Sequence, residues 1–371
     1  MSLESVVAES RVIVCCGSGG VGKTTTAAVI AMHAAVHGRK TVVVTIDPAR
    51  RLADALGLDG LTNEPAQISG LPVGSGQMWA MMLDTKATFD ALIRTYAATT
   101  DQADRILANS FYRNISSSLS GTQEYMASEK LYELAIESDY DLVVVDTPPT
   151  RNALDFLEAP KRLAKFLDHR LYKVLMLPTR GIVKAVNVAA QTLLRSISKV
   201  VGAEVIADAI AFFGAFEGME QGFKERAAEV DHLLSEPSTA FILIASPHLD
   251  TMAEAQFFAS RLKQLKITVR ALIINRMQPG FDSTEQSELA GENPEQAARR
   301  LAGSSIGDQY RCLADARRLA AGEHEHLRGL AAELAPAPVV RVAVQPFEVS
   351  NMATLKLLGK AMFDTEVTSA P

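Results

Sequence analysis

The densest chemistry in this sequence lies in GSGGVGKT, residues Gly17 to Thr24, inside the longer stretch RVIVCCGSGGVGKTTTAA. The spacing is G-x-x-x-x-G-K-S/T, directly after an apolar run and directly before a helix-forming one. Glycines let successive backbone N–H groups converge on phosphate oxygens at a helix N-terminus. A lysine at position 23 suits the β and γ phosphates, and a hydroxyl at position 24 suits Mg²⁺. Gly17, Gly19, Gly20, Val21, Gly22, Lys23, Thr24 and Thr25 are therefore the expected nucleotide-binding residues. A glycine-rich turn without nucleotide would need neither Lys23 nor Thr24.

Two acidic residues stand where they would complete such a site. VVVTIDPARRLADAL ends an apolar run at Asp47, and DYDLVVVDTPPT ends another at Asp146. A carboxylate at the carboxyl end of a buried strand sits where open α/β sheets bind ligands. Asp47 is a candidate to orient or deprotonate an attacking water, although Asp-Pro before ARRLADAL is also a good helix start. Asp146 has the position of the acid that holds a magnesium-bound water, and the two prolines after Thr147 make a stiff turn suited to sensing a γ-phosphate. The expected metal ligands are Thr24 and Asp146. The expected catalytic residues are Lys23 and Asp47.

The elements that must position these groups are apolar, β-branched runs. Val12 to Cys16, Thr41 to Ile46, Asp141 to Val145, Phe241 to Ala245, Val269 to Ile274 and Val339 to Val344 read as buried strands, with a seventh in MWAMMLD ending at Asp84. Their hydrophobicity is continuous rather than alternating, the mark of a parallel sheet covered on both faces. Helical stretches separate them, so the expected fold is α/β: a doubly wound, mostly parallel sheet with a phosphate-binding loop. Two helical stretches exceed what a crossover needs. The expected core is 1–85, 139–152 and 237–371, with 86–138 and 153–236 inserted as a helical subdomain. The polar segment from Gln278 to Arg299 reads as a loop.

Bulk composition narrows the functions. The net charge is -6 and the pI about 5.7, which argues against nucleic acid as a partner. Three cysteines, two adjacent at 15 and 16 and one at 312, form neither a disulfide framework nor a CxxC clip, and a reducing, cytoplasmic setting is expected. The N-terminus MSLESVVAES lacks the basic start of a secretory signal. The stretch from Val200 to Phe216 is short for a membrane span and carries Glu204 and Asp208.

GGVGKTTTAA, TIDPARRLADALG, DTPPTRNALDFLEAPKRL and LIINR occur in an order and spacing that resemble the arsenite-pump and tail-anchored-protein targeting ATPase family. These are dimeric ATPases of the larger class that includes the nitrogenase iron protein. The resemblance implies Mg²⁺ and ATP as cofactors, Asp47 as the water-activating residue of a first switch, and Asp146 as the start of a second. It further implies that Asn275 reads the adenine and that Pro346 and Phe347 line the base pocket.

The departures are specific. Ser18 replaces the family's signature loop lysine, Asn152 stands where the second switch usually has histidine, and His248 follows Pro247 where an acid is common. The zinc-binding CxxC pair and arsenite-binding cysteine clusters are missing, so neither zinc nor arsenite is expected. A 4Fe-4S bridge is not expected either, because Cys15 and Cys16 belong to a strand.

In relatives, helical subdomains form an apolar groove for hydrophobic clients. Leu171 to Phe216 is apolar enough for helices with two buried faces, whether they form such a groove or an ordinary core. Lys161, Arg162, Lys165, Arg170 and Lys173 would meet lipid head groups, an acidic partner or only solvent. The expected protein is a dimer switch driven by Mg-ATP that handles a hydrophobic or membrane-associated client, peripheral at the membrane at most. The competing expectation is a slow ATP-binding regulatory subunit of a membrane complex or transporter. Because Ser18 carries no charge, the expected assembly is either a slow homodimer or a heterodimer with a paralogue that keeps the lysine.

Overall fold

The computed structural model describes residues 2–47, 50–118, 122–148, 150–168, 203–279 and 293–364. Residues 169–202, including Arg170, Lys173 and most of the apolar stretch beginning at Leu171, lie outside the described residues, as does much of the segment after Gln278.

Among the described residues, eight strands form one sheet: β1 (Val12–Gly17), β2 (Lys40–Thr45), β3 (Ala66–Gln67), β4 (Gln77–Met82), β5 (Leu142–Asp146), β6 (Thr239–Ala245), β7 (Val269–Met277) and β8 (Val339–Ala343). Their order is β3-β4-β2-β5-β1-β6-β7-β8, and only the β3–β4 pair is antiparallel. This is the doubly wound α/β sheet expected from the apolar runs. The short β3 at the edge has no counterpart in the sequence reading, because two exposed residues carry no hydrophobic pattern.

Every residue of β1 is buried, and successive side chains go to opposite faces. Val12, Val14 and Cys16 enter one core, and Ile13 and Cys15 enter the other. The second core is roofed by α1 (Leu3–Glu9), α2 (Lys23–Val36), α3 (Arg51–Leu56) and the C-terminal α14 (Met352–Phe363). Helix α1 starts at a capping box between Ser2 and Ser5, which satisfies N–H groups at its first turn.

The remaining described helices are α4 (Thr85–Tyr96), α5 (Thr100–Ala108), α6 (Ser110–Ser118), α7 (Thr122–Tyr132), α8 (Thr150–Asp168), α9 (Ala203–Ala215), α10 (Glu220–Ser235), α11 (Leu249–Gln264), α12 (Pro294–Arg300) and α13 (Ser305–Leu334). A π-helical turn, Glu133–Glu137, continues α7. Helix α12 corrects part of the loop expected up to Arg299. Asn293 accepts from the Glu295 amide and Pro294 opens the helix, a strong start that a polar composition conceals.

A third core lies among the helices, built from Leu92, Ile106, Tyr112, Phe212, Phe216 and Phe223 among others. Three of the described helices reach both this core and the sheet. In α8, for instance, Phe156 and Leu157 face the sheet while Ala159 and Leu167 face the helical core. The aromatic end of the candidate client stretch, Phe212, Phe213 and Phe216, is buried in this core rather than lining a surface. Lys161 and Arg162 pair with Asp231, Asp155 and Glu158 along the helix surface. No described helix is long and apolar enough to cross a membrane.

Candidate nucleotide-binding site

The loop between β1 and α2 lies at the carboxyl edge of the sheet, beside the central strands. Two glycines are dictated by packing. A Cβ on Gly17 would fall 2.0 Å from the carbonyl oxygen of Ile244 on β6. Gly22 caps α2 with φ of 95°, and a Cβ there would lie 2.3 Å from Nδ2 of Asn275. Gly19 and Gly20 are exposed, so the backbone there is open to a ligand. Val21 is buried in the core beneath the loop and Thr25 is half-buried on α2.

Lys23 is buried at the start of α2, and its Nζ donates to the backbone carbonyl of Ser18 at 2.8 Å. Burial lowers its pKa, while Asp146 pulls the other way. Thr24 Oγ1 donates to Asp146 Oδ2 at 2.7 Å, and Thr45 Oγ1, from the end of β2, donates to the same oxygen at 2.9 Å. Burial raises the Asp146 pKa, opposed by these two hydrogen bonds and by Lys23. Thr45 and Asp146 are register partners in the β2–β5 ladder, so the sheet itself places the hydroxyl against the carboxylate. The next residue, Thr147, donates to the Cys15 carbonyl at 2.7 Å and ties the turn after β5 to β1.

Two buried polar atoms here have no hydrogen-bond partner among the described residues: Asp146 Oδ1 and Ser18 Oγ. Orphaned buried groups cost free energy and call for a missing partner. One is an acceptor beside the Thr24 hydroxyl, and the other is a hydroxyl on the loop. A hard cation with its water and a phosphate oxygen would satisfy such a pair, so the donor set fits a metal–nucleotide complex. Cys15 and Cys16 fit no such role, because burial raises both thiols, Cys16 to about 12.

Asp47 follows β2 by two residues, and its amide donates to Thr45 Oγ1 at 3.3 Å. It is not the helix cap that its sequence also allowed, since α3 begins at Arg51 with Arg50 in the cap position. Its carboxylate lies 3.6 Å from Arg51 Nη1 and close enough to act electrostatically on Lys23 and Asp146. Gln123 donates to the Ile46 carbonyl at 3.2 Å, linking α7 to this segment.

Asn275 sits at an irregularity between β7 and β8, followed by Arg276 with φ of 62°. Its Nδ2 donates to the Val21 carbonyl at 2.9 Å, and its Oδ1 accepts from the Arg276 amide at 2.9 Å. It therefore buttresses the loop from the side, a contact the sequence does not announce. Pro346, exposed, and Phe347, half-buried, follow β8 in a segment held beside the end of β7 by the Val344 amide on the Met277 carbonyl at 2.8 Å. His248 precedes α11 without capping it through its side chain. Asn152 lies in α8, its side chain outside the described residues.

Thr45, Thr147 and Gln123 were not among the expected site residues. For Thr45 a signal existed: VVVT and VVVD end parallel strands, and aligning them puts the hydroxyl opposite the acid.

A glycine loop closing on a helix N-terminus at the carboxyl edge of a doubly wound sheet, with Lys23, Thr24 and a strand-end aspartate converging, defines a P-loop ATPase. The chain belongs to the anion-transporting ATPase family, which it matches over residues 10–303. It is similar to the protein named ATPase GET3A of Arabidopsis thaliana, 26% identical over 274 residues, covering 74% of this chain and 69% of that protein. It is 27% identical over 268 residues to ATPase ASNA1 homolog 1 of Paramecium tetraurelia, covering 70% and 73%. Over a shorter stretch of 170 residues it is 31% identical to a putative arsenical pump-driving ATPase of Halobacterium salinarum, covering 44% and 26%. ATP hydrolysis is the activity that family and relatives share.

Proposed function

We propose that this ATPase depends on Mg²⁺ and acts as a nucleotide-driven dimer switch that handles a hydrophobic or membrane-associated client. The observation that carries the reading is Asp146, held by hydroxyls from the first turn of α2 (Thr24) and from β2 (Thr45), with its second oxygen without a hydrogen-bond partner among the described residues. Thr24 and Asp146 would hold the Mg²⁺ ion, which when bound neutralises charge on the β and γ phosphates. Lys23 turns from the Ser18 carbonyl to those phosphates, and Asp47 orients the attacking water and accepts its proton. Asn275, with Pro346 and Phe347 nearby in the sheet edge, flanks the adenine.

Thr45 supports the switching part. It touches Asp146 and the Asp47 amide at once, so the segments after β2 and β5 share one hydroxyl. A change at either acid is felt by the other. The helical units 86–138 and 153–236 carry that movement to the client, in a cytoplasmic protein peripheral to the membrane.

Ser18 favours a second form of this reading, a slow regulatory subunit. A cation supplied at a phosphoryl-transfer site across an interface is worth ~10³ to 10⁵ in rate, and serine supplies none. We propose a heterodimer with a paralogue that retains the lysine. The test compares ATP turnover of the purified chain, its Ser18→Lys variant, and the chain mixed with such a paralogue. The expected result is slow turnover alone and acceleration in both other cases. Fast turnover by the lone chain, unchanged in Ser18→Lys, overturns the heterodimer, and turnover unaffected by removing Mg²⁺ overturns the metal assignment.

A further inference from the structure

At the opposite end of α2 from the phosphate loop, two histidines stand one helical turn apart. His33 and His37 are spaced i,i+4, which puts both side chains on one face. Their ring centroids are 4.2 Å apart. Glu4, on the first turn of α1, brings its Oε1 to 4.0 Å from His33 Nε2. One ligand atom from each of the three residues lies within 4.8 Å of the others.

Three further features suit these groups to a cation. His37 Nδ1 lies 2.7 Å from the His33 carbonyl. A carbonyl only accepts, so Nδ1 carries the proton and Nε2 keeps its lone pair, the tautomer that second-shell bonding selects in metal-binding histidines. His33 is stacked on Phe363 of α14, centroids 3.5 Å apart and planes 7° from parallel, so its ring is held in place. Finally, His33 lies in the last turn of α2 and His37 at its C-cap, the end at which the helix dipole favours positive charge. Glu4 also gains nothing as a hydrogen-bond partner of His33 at 4.0 Å.

We propose that His33, His37 and Glu4 form a site for a divalent ion of the zinc class, separate from the nucleotide's metal. Two imidazoles and one carboxylate are the ligands that zinc, nickel and cobalt take, whereas magnesium and calcium prefer oxygen alone. Ligand atoms around a tetrahedral zinc lie ~3.4 Å apart, given bonds of about 2.0–2.1 Å. The exposed Glu4 and His37 side chains close the present gap by rotation. His33 is ten residues beyond Lys23, so this site lies about 15 Å along α2 from the loop. An ion there clips the first turn of α1 to the end of α2, and through the Phe363 stack to α14.

The test uses the full chain without an affinity tag, freed of metal by a chelator and without nucleotide. ZnCl₂ is titrated calorimetrically, and CoCl₂ is followed by its visible absorption. The expected result is one tight equivalent, a raised unfolding temperature with zinc, and a cobalt spectrum with nitrogen ligands. His37→Ala removes an exposed side chain and should fold normally. It is expected to weaken zinc at least about tenfold and to abolish the zinc-dependent stabilisation, with ATP turnover in Mg²⁺ unchanged. Glu4→Gln is expected to weaken zinc in the same direction. No zinc binding by the wild type, or equal binding by His37→Ala, overturns the proposal.

Discussion

Lys23 is buried, partly discharged of its preference for protonation by that burial, and bonded to the carbonyl of Ser18. Its cation is thus carried into the phosphate loop by the fold. Replacing it with alanine should lower ATP turnover by about 10² to 10³, the scale of one lost charge-stabilising donor, measured by phosphate release. Asp47→Asn should behave differently, keeping nucleotide affinity in equilibrium binding while turnover falls by about 10² to 10⁴, since the amide holds a water and cannot accept its proton. Undiminished turnover in that variant would rule Asp47 out as the water-activating residue. At this scale, much of the site was legible. GSGGVGKT, Asp47 and Asp146 are local patterns, each readable within a few residues. Thr45 becomes legible only when the two strands are aligned as neighbours, because its meaning depends on a residue 101 positions away.

The strands were legible because burial on both faces leaves an unbroken apolar run, as in VVVTI and LVVVD. Elements that bury little were not: β3 is two exposed residues, and α12 buries only Pro294, Ala297 and Ala298. The contacts between helices were hidden for a similar reason. Glu129 on α7 is buried against Arg226 on α10, Nε to Oε1 2.8 Å, while Arg226 also reaches Glu137 in the π-helical turn at 2.6 Å. Arg226 lies over the Tyr132 ring as well, 4.2 Å from its centroid. Burial outweighs the attraction of Arg226 and pushes the Glu129 carboxyl from 4.5 up to about 7. The folded chain therefore binds more protons than the unfolded chain between those values. The stability from this group is complete below about pH 4.5 and is lost as pH rises through about 7. In denaturant titrations at pH 5 and pH 7.5, wild type should lose more stability over this interval than Glu129→Gln. Parallel losses in both proteins would show that Glu129 is ionised throughout.

Across the whole molecule, two cores sandwich the sheet and a third lies among the helices, with α7, α8 and α10 contributing to both the sheet and the helical core. The sheet's arrangement also sets an order in time. Strand β1, which carries the phosphate loop, pairs with β5 and β6 and with no strand made soon after it. During synthesis it has no partner until Leu142–Asp146 appear, and it remains an open edge until Thr239–Ala245 follow. Pairings of such sequence separation form slowly, and an uncovered apolar strand is prone to aggregate. A fragment ending at residue 238 should therefore bind no nucleotide in equilibrium dialysis and should elute as aggregate in size-exclusion chromatography. A monomeric fragment that retained ATP would show that β6 is dispensable. In the intact chain, the phosphate loop becomes competent only after well over half of the protein has been made, so a nascent chain stalled before that point cannot sequester ATP.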